Sequence, residues 1–320
     1  MSRIEQQLNQ YLHHMTEERH LSPHTRDAYE RDLRSFITHI SEEGIHEGSQ
    51  VTGAHTRHYF SLLRRSGKAS STVSRHKAAV RSFFLYLIRA GEVSADPTMQ
   101  VELPRTEKKQ PNLLTIEQVS QLLDAPDRQS AQGIRDRAML ETLYGTGMRI
   151  TELIALNCED VHLHLGFIRC VMNQKERILP LGQAAIEAIQ MYLEQARSEW
   201  MSAGDGETDG KESAVDVGPL FVNMRGQRIT RQGFWKLLKK YTSDLGWDVS
   251  ITPYSLRQSF AAHLLNNGAD LYTVQEMLGH ADAATTQRYA RAIDKRQNMK
   301  DVYKMAHPRA SLQQESMKQQ

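Results

Sequence analysis

The sequence is poor in cysteine: Cys158 and Cys170 are the only two in 320 residues. Two thiols supply neither a disulfide framework nor a zinc site, so stability must come from packed apolar cores in a reducing compartment. Long apolar runs are also missing. No stretch approaches the roughly 18 consecutive apolar residues that span a bilayer, and the opening MSRIEQQLNQYLHH lacks the apolar centre of a signal peptide. The expectation is a cytoplasmic chain without a membrane partner. Nucleotide motifs are absent as well. There is no P-loop and no dinucleotide-binding glycine fingerprint, and Gly145-Thr-Gly147 reads as a helix-ending turn. His162-Leu-His164 has no third ligand at zinc spacing and reads as a surface strand. The chemistry is therefore expected to run without cofactor and without metal.

Net charge is scarce too. Lys and Arg number 40 against 38 Asp and Glu, a formal +2, which alone argues weakly against a nucleic-acid partner. The distribution says otherwise. Between Glu47 and Glu92 there is no acidic residue, while Arg57, Arg64, Arg65, Lys68, Arg75, Lys77, Arg81 and Arg89 are present. Over Ser71–Arg89 the apolar residues Val73, Val80, Phe83, Phe84 and Leu87 recur at helical spacing, with Arg75, Lys77 and Arg81 falling largely between them. A single-sign face of this kind calls for an anionic partner or costs self-repulsion.

Ser22-Pro23 has the form of a helix start, followed by Tyr29, Leu33, Phe36 and Ile40 at helical spacing. Residues 1–95 read as about four helices with no strand signal. The segment 96–112, DPTMQVELPRTEKKQPN, has three prolines and no periodicity, the pattern of an exposed interdomain linker. The second domain, 113–298, opens on a capping box at Thr115–Gln118 and continues as a helix over Gly133–Leu143. Phe167–Met172 and Ile178–Leu181 read as strands flanking a polar tip, Asn173–Arg177, that carries two cations. Helices are expected near 184–201, 230–245, 253–267, 271–278 and 285–293, with a flexible loop between the first two and a polar tail at 299–320. The fold class is mainly α with a small β-sheet in the C-terminal domain.

Three polar positions sit in otherwise apolar helical surroundings: Arg149 in LYGTGMRITELIAL, Arg257 in ITPYSLRQSFAAHLL, and His280 in MLGHADAATTQRYA, with Tyr289 nine residues on. Each alone is most simply a structural residue. As a set they suit phosphoryl chemistry. Two permanently charged guanidiniums clamp the non-bridging oxygens of a phosphate, a tyrosine is a nucleophile once deprotonated, and a histidine donates to phosphate or moves a proton.

These segments resemble the tyrosine recombinases of the phage integrase family, most closely the bacterial Xer recombinases. The resemblance runs from LSPHTRDAYERDLRSF and HKAAVRSFFLYL through IRDRAMLETLYGTGMRITEL and KERILPLG to LRQSFAAHLL, VQEMLGHADAATTQRYA and AHPRA. Arg257 to His280 spans 23 positions and His280 to Tyr289 nine, the family's spacings. It implies an N-terminal four-helix SAM-like core-binding domain and a C-terminal catalytic domain, together a DNA clamp. By the resemblance Tyr289 attacks a DNA phosphodiester, Arg149 and Arg257 hold the phosphate, His280 hydrogen-bonds it, and Glu152 supports the first arginine. It also implies a double-stranded DNA site, a homo- or hetero-tetramer on two duplexes with room for a second recombinase, and a tail at 299–320 exchanged between subunits.

Two departures stand out. The family's hairpin usually reads GKGxKER, but here VMNQKER places Met172 at the first lysine and keeps Lys175 at the second. In the H-x-x-R box the histidine position holds Tyr254, a hydrogen-bond donor but a poor proton shuttle at neutral pH. The readings left open are a chromosomal Xer-type enzyme, a mobile-element recombinase, and a DNA-binding relative that cleaves poorly and acts beside a partner.

Overall fold

The computed structural model describes residues 2–18, 23–102, 112–172, 175–204, 218–247, 251–279 and 286–287; for residues 23, 172, 175 and 202–204 it describes the backbone alone. The chain divides into two compact units, Met1–Lys109 and Gln110–Gln320.

The first unit is built from α1 (Arg3–Glu17), α2 (Pro23–Glu42), α3 (Gly53–Arg65) and α4 (Ser70–Arg89), with a single 3-10 turn at Gly48–Gln50. Each helix carries one apolar face, and the four faces meet. Tyr11, Phe36, Phe60, Phe83 and Phe84 are fully or almost fully buried there. Tyr11 meets Phe83 edge-on at 5.5 Å and Phe36 meets Tyr59 edge-on at 5.2 Å, an arrangement aromatic rings prefer over face-to-face stacking. The segment read as linker begins later than expected. Thr98 and Val101 are buried, Thr56 Oγ1 donates to Pro97 O at 2.7 Å, and Lys77 donates to Val101 O, so Asp96–Val101 packs on the helical unit. The prolines mark an end to helix, but Val101 still has apolar surface to bury.

In the second unit α5 (Ile116–Asp124) begins on the expected box: Thr115 N donates to Gln118 Oε1 at 2.9 Å and Gln118 N to Thr115 Oγ1 at 3.2 Å. Then come α6 (Ala131–Thr146), α7 (Ile150–Ala155) and an antiparallel sheet ordered β1 (Val161–His162), β2 (Phe167–Met172) and β3 (Lys175–Pro180). The register pairs Ile168 with Leu179, Cys170 with Arg177 and Met172 with Lys175. Ile168, Cys170 and Leu179 are buried while Val171 and Ile178 lie exposed on the other face. The strand thus starts at Lys175, three residues earlier than the β-prone run indicates, and the expected tip cations belong to the ladder.

A continuous helical rod follows: α8 (Gln183–Met191), a π-helical stretch Tyr192–Arg197, and α9 (Ser198–Gly204). Within the π-helical stretch, Tyr192 Oη accepts from Val222 N at 3.0 Å and Arg197 donates to Pro219 O at 3.1 and 3.2 Å, tying the rod to the 219–222 segment. Finally α10 (Arg231–Asp244), α11 (Pro253–Asn266) and α12 (Leu271–Leu278) each start on a side-chain cap, from Thr230, Thr252 and Asp270. Among the described residues no helix is long and apolar enough to cross a membrane. Of the flexible loop, residues 202–204 continue α9 and 218–229 are tied to the rod, while residues 205–217, the helix at 285–293 apart from residues 286–287, and the tail at 299–320 lie outside the described residues.

Candidate active site

The site begins at the turn that ends α6. Gly147 adopts the left-handed conformation with φ +61°, its N–H returning to Leu143 O at 3.1 Å. A Cβ there would stand 2.2 Å from the Phe260 ring, so α11 packs directly onto the turn. The short segment after it delivers Arg149 to the start of α7. Arg149 N donates to Glu152 Oε2 at 2.6 Å, and its guanidinium reaches Glu152 Oε1 at 2.9 Å and Gly279 O at 3.1 Å. The side chain remains 40% exposed, which leaves it open to a ligand.

Glu152 is the pivot. Its carboxylate is wholly buried and accepts from two arginines: besides Arg149, Arg177 of β3 places Nη1 2.9 Å from Oε1 and Nη2 2.7 Å from Oε2. Burial pushes the carboxyl up, but the Arg177 hydrogen bonds, the Arg149 backbone N–H and the fields of both cations outweigh it and hold the group below its ordinary value. Glu152 is therefore a buried anion at neutral pH. Nearby Cys170 goes the other way, its thiol pushed up to about 11 by burial and then by the Glu152 charge.

Arg257 comes from the middle of α11 and is 3% exposed. It donates to Gly147 O at 2.6 Å and to Leu278 O at 2.5 Å. The two arginines thus hold consecutive carbonyls, Leu278 and Gly279, at the C-terminal end of α12, where the chain turns through left-handed Gly279 (φ +61°) into His280. The α11 helix is in turn located by Tyr144, whose hydroxyl meets His263 Nδ1 at 2.9 Å, by His263 Nε2 on Leu114 O at 3.0 Å, and by Ser259 Oγ accepting from Leu114 N at 2.8 Å. Tyr254, in the first turn of α11, is 50% exposed.

Of the residues singled out in sequence, Arg149, Glu152 and Arg257 are gathered around the end of α12. Lys175 lies at the start of β3, two residues before Arg177, and only its backbone is described. His280 and Tyr289 lie outside the described residues, though Thr286, three positions before Tyr289, is buried. Arg177 was expected as a tip cation and instead stands inside the site. The signal was available: Arg177 and Leu179 share one row of a period-two strand, and Leu179 belongs to the core. Three guanidiniums against one carboxylate leave the cluster with two excess positive charges, suited to a phosphodiester.

The basic helix of the first unit is more compensated than its own sequence indicates. Arg75 makes a bidentate pair with buried Asp32 at 2.8 and 2.9 Å, Lys77 donates to Val101 O, and Arg81 lies 3.6 Å from Asp96. Both acids lie outside the acid-free window, and α4 approaches them only in the fold. Arg75 and Arg81 nevertheless stay 45% and 61% exposed.

Comparison with known proteins bears on both units. Residues 112–296 match the Phage integrase family and residues 8–91 the Phage integrase N-terminal SAM-like domain. Tyrosine recombinase XerD of Halalkalibacterium halodurans is 44% identical over 312 residues, covering 97% of this chain and 100% of that protein. Tyrosine recombinase XerD of Listeria monocytogenes serotype 4b is 42% identical, covering 95% and 99%. In fold, the chain resembles the XerH site-specific recombinase bound to palindromic difH substrate in a post-cleavage complex, with a TM-score of 0.67, 21% identity and coverage of 87% and 79%. Both domains match in order, and the XerD relatives align over nearly the whole length: the chain belongs to the phage integrase family of tyrosine recombinases.

Proposed function

We propose that this recombinase is of the XerD type, cutting and rejoining double-stranded DNA at a specific site through Tyr289 in the cytoplasm, with chromosome dimer resolution at cell division as its role. The observation that carries the reading is the shared anchorage of Arg149 and Arg257 on the carbonyls of Gly279 and Leu278, immediately before His280. That arrangement anchors two cations on the carbonyls that immediately precede, in sequence, the residue expected to touch phosphate.

In the proposed reaction the Tyr289 oxygen attacks the scissile phosphorus, forming a P–O bond to tyrosine and breaking the bond to the 5′-oxygen. The tyrosine proton leaves as the bond forms, and the departing 5′-oxygen gains one. Arg149 and Arg257 neutralise the charge that builds on the non-bridging oxygens, and His280 hydrogen-bonds one of them. Glu152 keeps Arg149 in place. Lys175 supplies the proton to the 5′-oxygen in place of the residue that Met172 replaces, and Tyr254 adds a hydrogen bond to phosphate. The 3′-phosphotyrosyl link conserves bond energy, so rejoining reverses the step when a 5′-hydroxyl attacks, and no cofactor or metal enters. Arg75, Lys77 and Arg81 would steer the first unit to the duplex. The working assembly is a tetramer on two duplexes, homomeric or with a second recombinase, coupled by exchange of 299–320.

The test is a nicked duplex carrying the cognate site, on which cleavage is trapped. Wild type should give a covalent protein–DNA adduct and Tyr289→Phe none. Tight binding without any adduct from wild type would overturn the reading in favour of a DNA-binding relative that depends on a partner for cleavage.

A further inference from the structure

The first unit holds a side-chain cluster that recombination chemistry does not use. His39 lies in the last turn of α2 and Glu43, four positions on, is the first residue after the helix, while His58 approaches from α3. Glu43 Oε1 lies 2.8 Å from His58 Nδ1 and 3.5 Å from His39 Nε2. The two imidazole rings are 5.3 Å apart between centroids and inclined at 59°. One nitrogen of each ring and one carboxylate oxygen all fall within 4.8 Å of one another, the one such group among the described residues.

Two features separate this cluster from an ordinary surface ion pair. His39 Nε2 is buried and makes no hydrogen bond, while its ring packs beside Tyr59 at 5.4 Å. This desolvated ring nitrogen faces the Glu43 carboxylate at 3.5 Å without making a hydrogen bond to it. In addition, the ligand atoms come from two packed helices and the turn that ends the first, where Glu43 N is held by Ile40 O at 3.1 Å, so little ordering is left to pay on binding.

We propose that His39 Nε2, His58 Nδ1 and Glu43 Oε1 form a binding site for a divalent transition-metal cation of the zinc class, clipping α2 to α3. Imidazole with a single carboxylate suits zinc, nickel or cobalt, whereas magnesium and calcium prefer all-oxygen shells. Zinc holds nitrogen and oxygen ligands at about 2.0–2.2 Å, so ligand atoms around it sit about 3.2–3.6 Å apart. The His39–Glu43 separation already has that value, and the His58–Glu43 contact opens by about half an ångström as the ion takes the place of the shared proton. That proton moves to His58 Nε2 or to solvent, leaving neutral imidazole as ligand. His58 is 57% exposed, so a water molecule can complete the fourth position from its side. Sequence spacing does not reveal the site, because His58 joins His39 and Glu43 only through helix packing. The inference stands independently of the recombinase reading.

The experiment is a calorimetric titration of the full-length chain with zinc chloride, run beside His58→Ala, Glu43→Gln and a magnesium chloride control. Wild type should take up one equivalent in a saturable step, and each variant should bind at least about tenfold more weakly. Zinc should also raise the melting temperature of wild type and leave that of His58→Ala unchanged. Both substituted positions carry some solvent exposure, and circular dichroism establishes that the variants fold; should one fail, the other decides. No saturable one-equivalent step in wild type, equal zinc affinity in the folded variants, or magnesium binding as tightly as zinc would each overturn the proposal.

Discussion

Arg177 grips Glu152 with both terminal nitrogens, Nη1 on Oε1 at 2.9 Å and Nη2 on Oε2 at 2.7 Å, around a carboxylate with no solvent exposure. The same carboxylate takes the Arg149 guanidinium at 2.9 Å. One buried anion therefore positions two cations, one 18% exposed and the other 40%. The division of labour is structural: Arg177 secures the anion from the sheet, and the anion presents Arg149 to the open side.

Removing Arg177 leaves Glu152 buried with a single cation. Arg177→Met should therefore destabilise the second unit by about 3 kcal/mol, the cost of stranding part of a buried charge pair. Arg177→Lys keeps the charge but loses the two-pronged geometry and should cost less. Urea denaturation followed by circular dichroism measures both. Equal stability of Arg177→Met and wild type would show that Arg149 alone satisfies the carboxylate.

The Glu152 carboxyl also sets a pH dependence. Its pKa is lower in the folded protein than the ordinary 4.5, so the unfolded chain binds its proton more readily. The stabilisation is then fully present above about pH 4.5 and is lost as pH falls through the lower folded value. Glu152→Gln should be less stable than wild type at pH 7, and the gap between the two should narrow as pH drops from 5 towards 3. Thermal denaturation across that range checks it; a constant gap would remove the ionic contribution.

Gly279 offers a geometric test of the same cluster. Its φ of +61° disfavours any L side chain, and a Cβ would stand 2.7 Å from Arg177 Nη1. Gly279→Ala should cost about 1–2 kcal/mol from backbone conformation alone, plus the displacement of Arg177 from Glu152. In the background of Arg177→Met the second part vanishes, so the two substitutions should fall short of additivity by about 0.5 kcal/mol or more. Strict additivity in denaturant unfolding would mean the methyl group is absorbed without moving the guanidinium.

Helices were legible where apolar spacing alone fixes them. The edges of α12 and of β2 follow directly from their residues, as does the box that starts α5. What escaped depends on partners far along the chain. Lys175-Glu176-Arg177 is polar and reads as a tip, yet Arg177 is drawn into the sheet by Glu152, 25 residues earlier. Asp96–Val101 reads as linker because its prolines break periodicity, while the surface that covers Val101 is supplied by the helical unit. The acid-free window misled in the same manner, since Asp32 reaches Arg75 across the fold. The family motifs named Arg149, Glu152 and Arg257, of which Arg149 pairs with Glu152 and Arg257 holds the carbonyl next to the one Arg149 holds; they gave no indication of how Arg177 is used.

The pairing of Arg75 with Asp32 changes which cations should be probed on α4, the helix proposed to face DNA. Asp32 is 3% exposed and is served by Arg75 and by His76 Nε2 at 3.1 Å. Arg75→Gln removes the stronger of its two partners, so its effect on DNA binding would be mixed with reduced stability. Arg81 and Arg89 of α4 are exposed, and Arg81 has only a 3.6 Å approach to Asp96. Arg81→Gln with Arg89→Gln should leave the melting temperature nearly unchanged. If both reach phosphates, the slope of log binding constant against log salt should become shallower by about 2, roughly 0.9 for each phosphate no longer neutralised. Filter binding or fluorescence anisotropy on a duplex at several salt concentrations measures it. An unchanged slope, with the protein folded, would place the DNA on another face of the first unit.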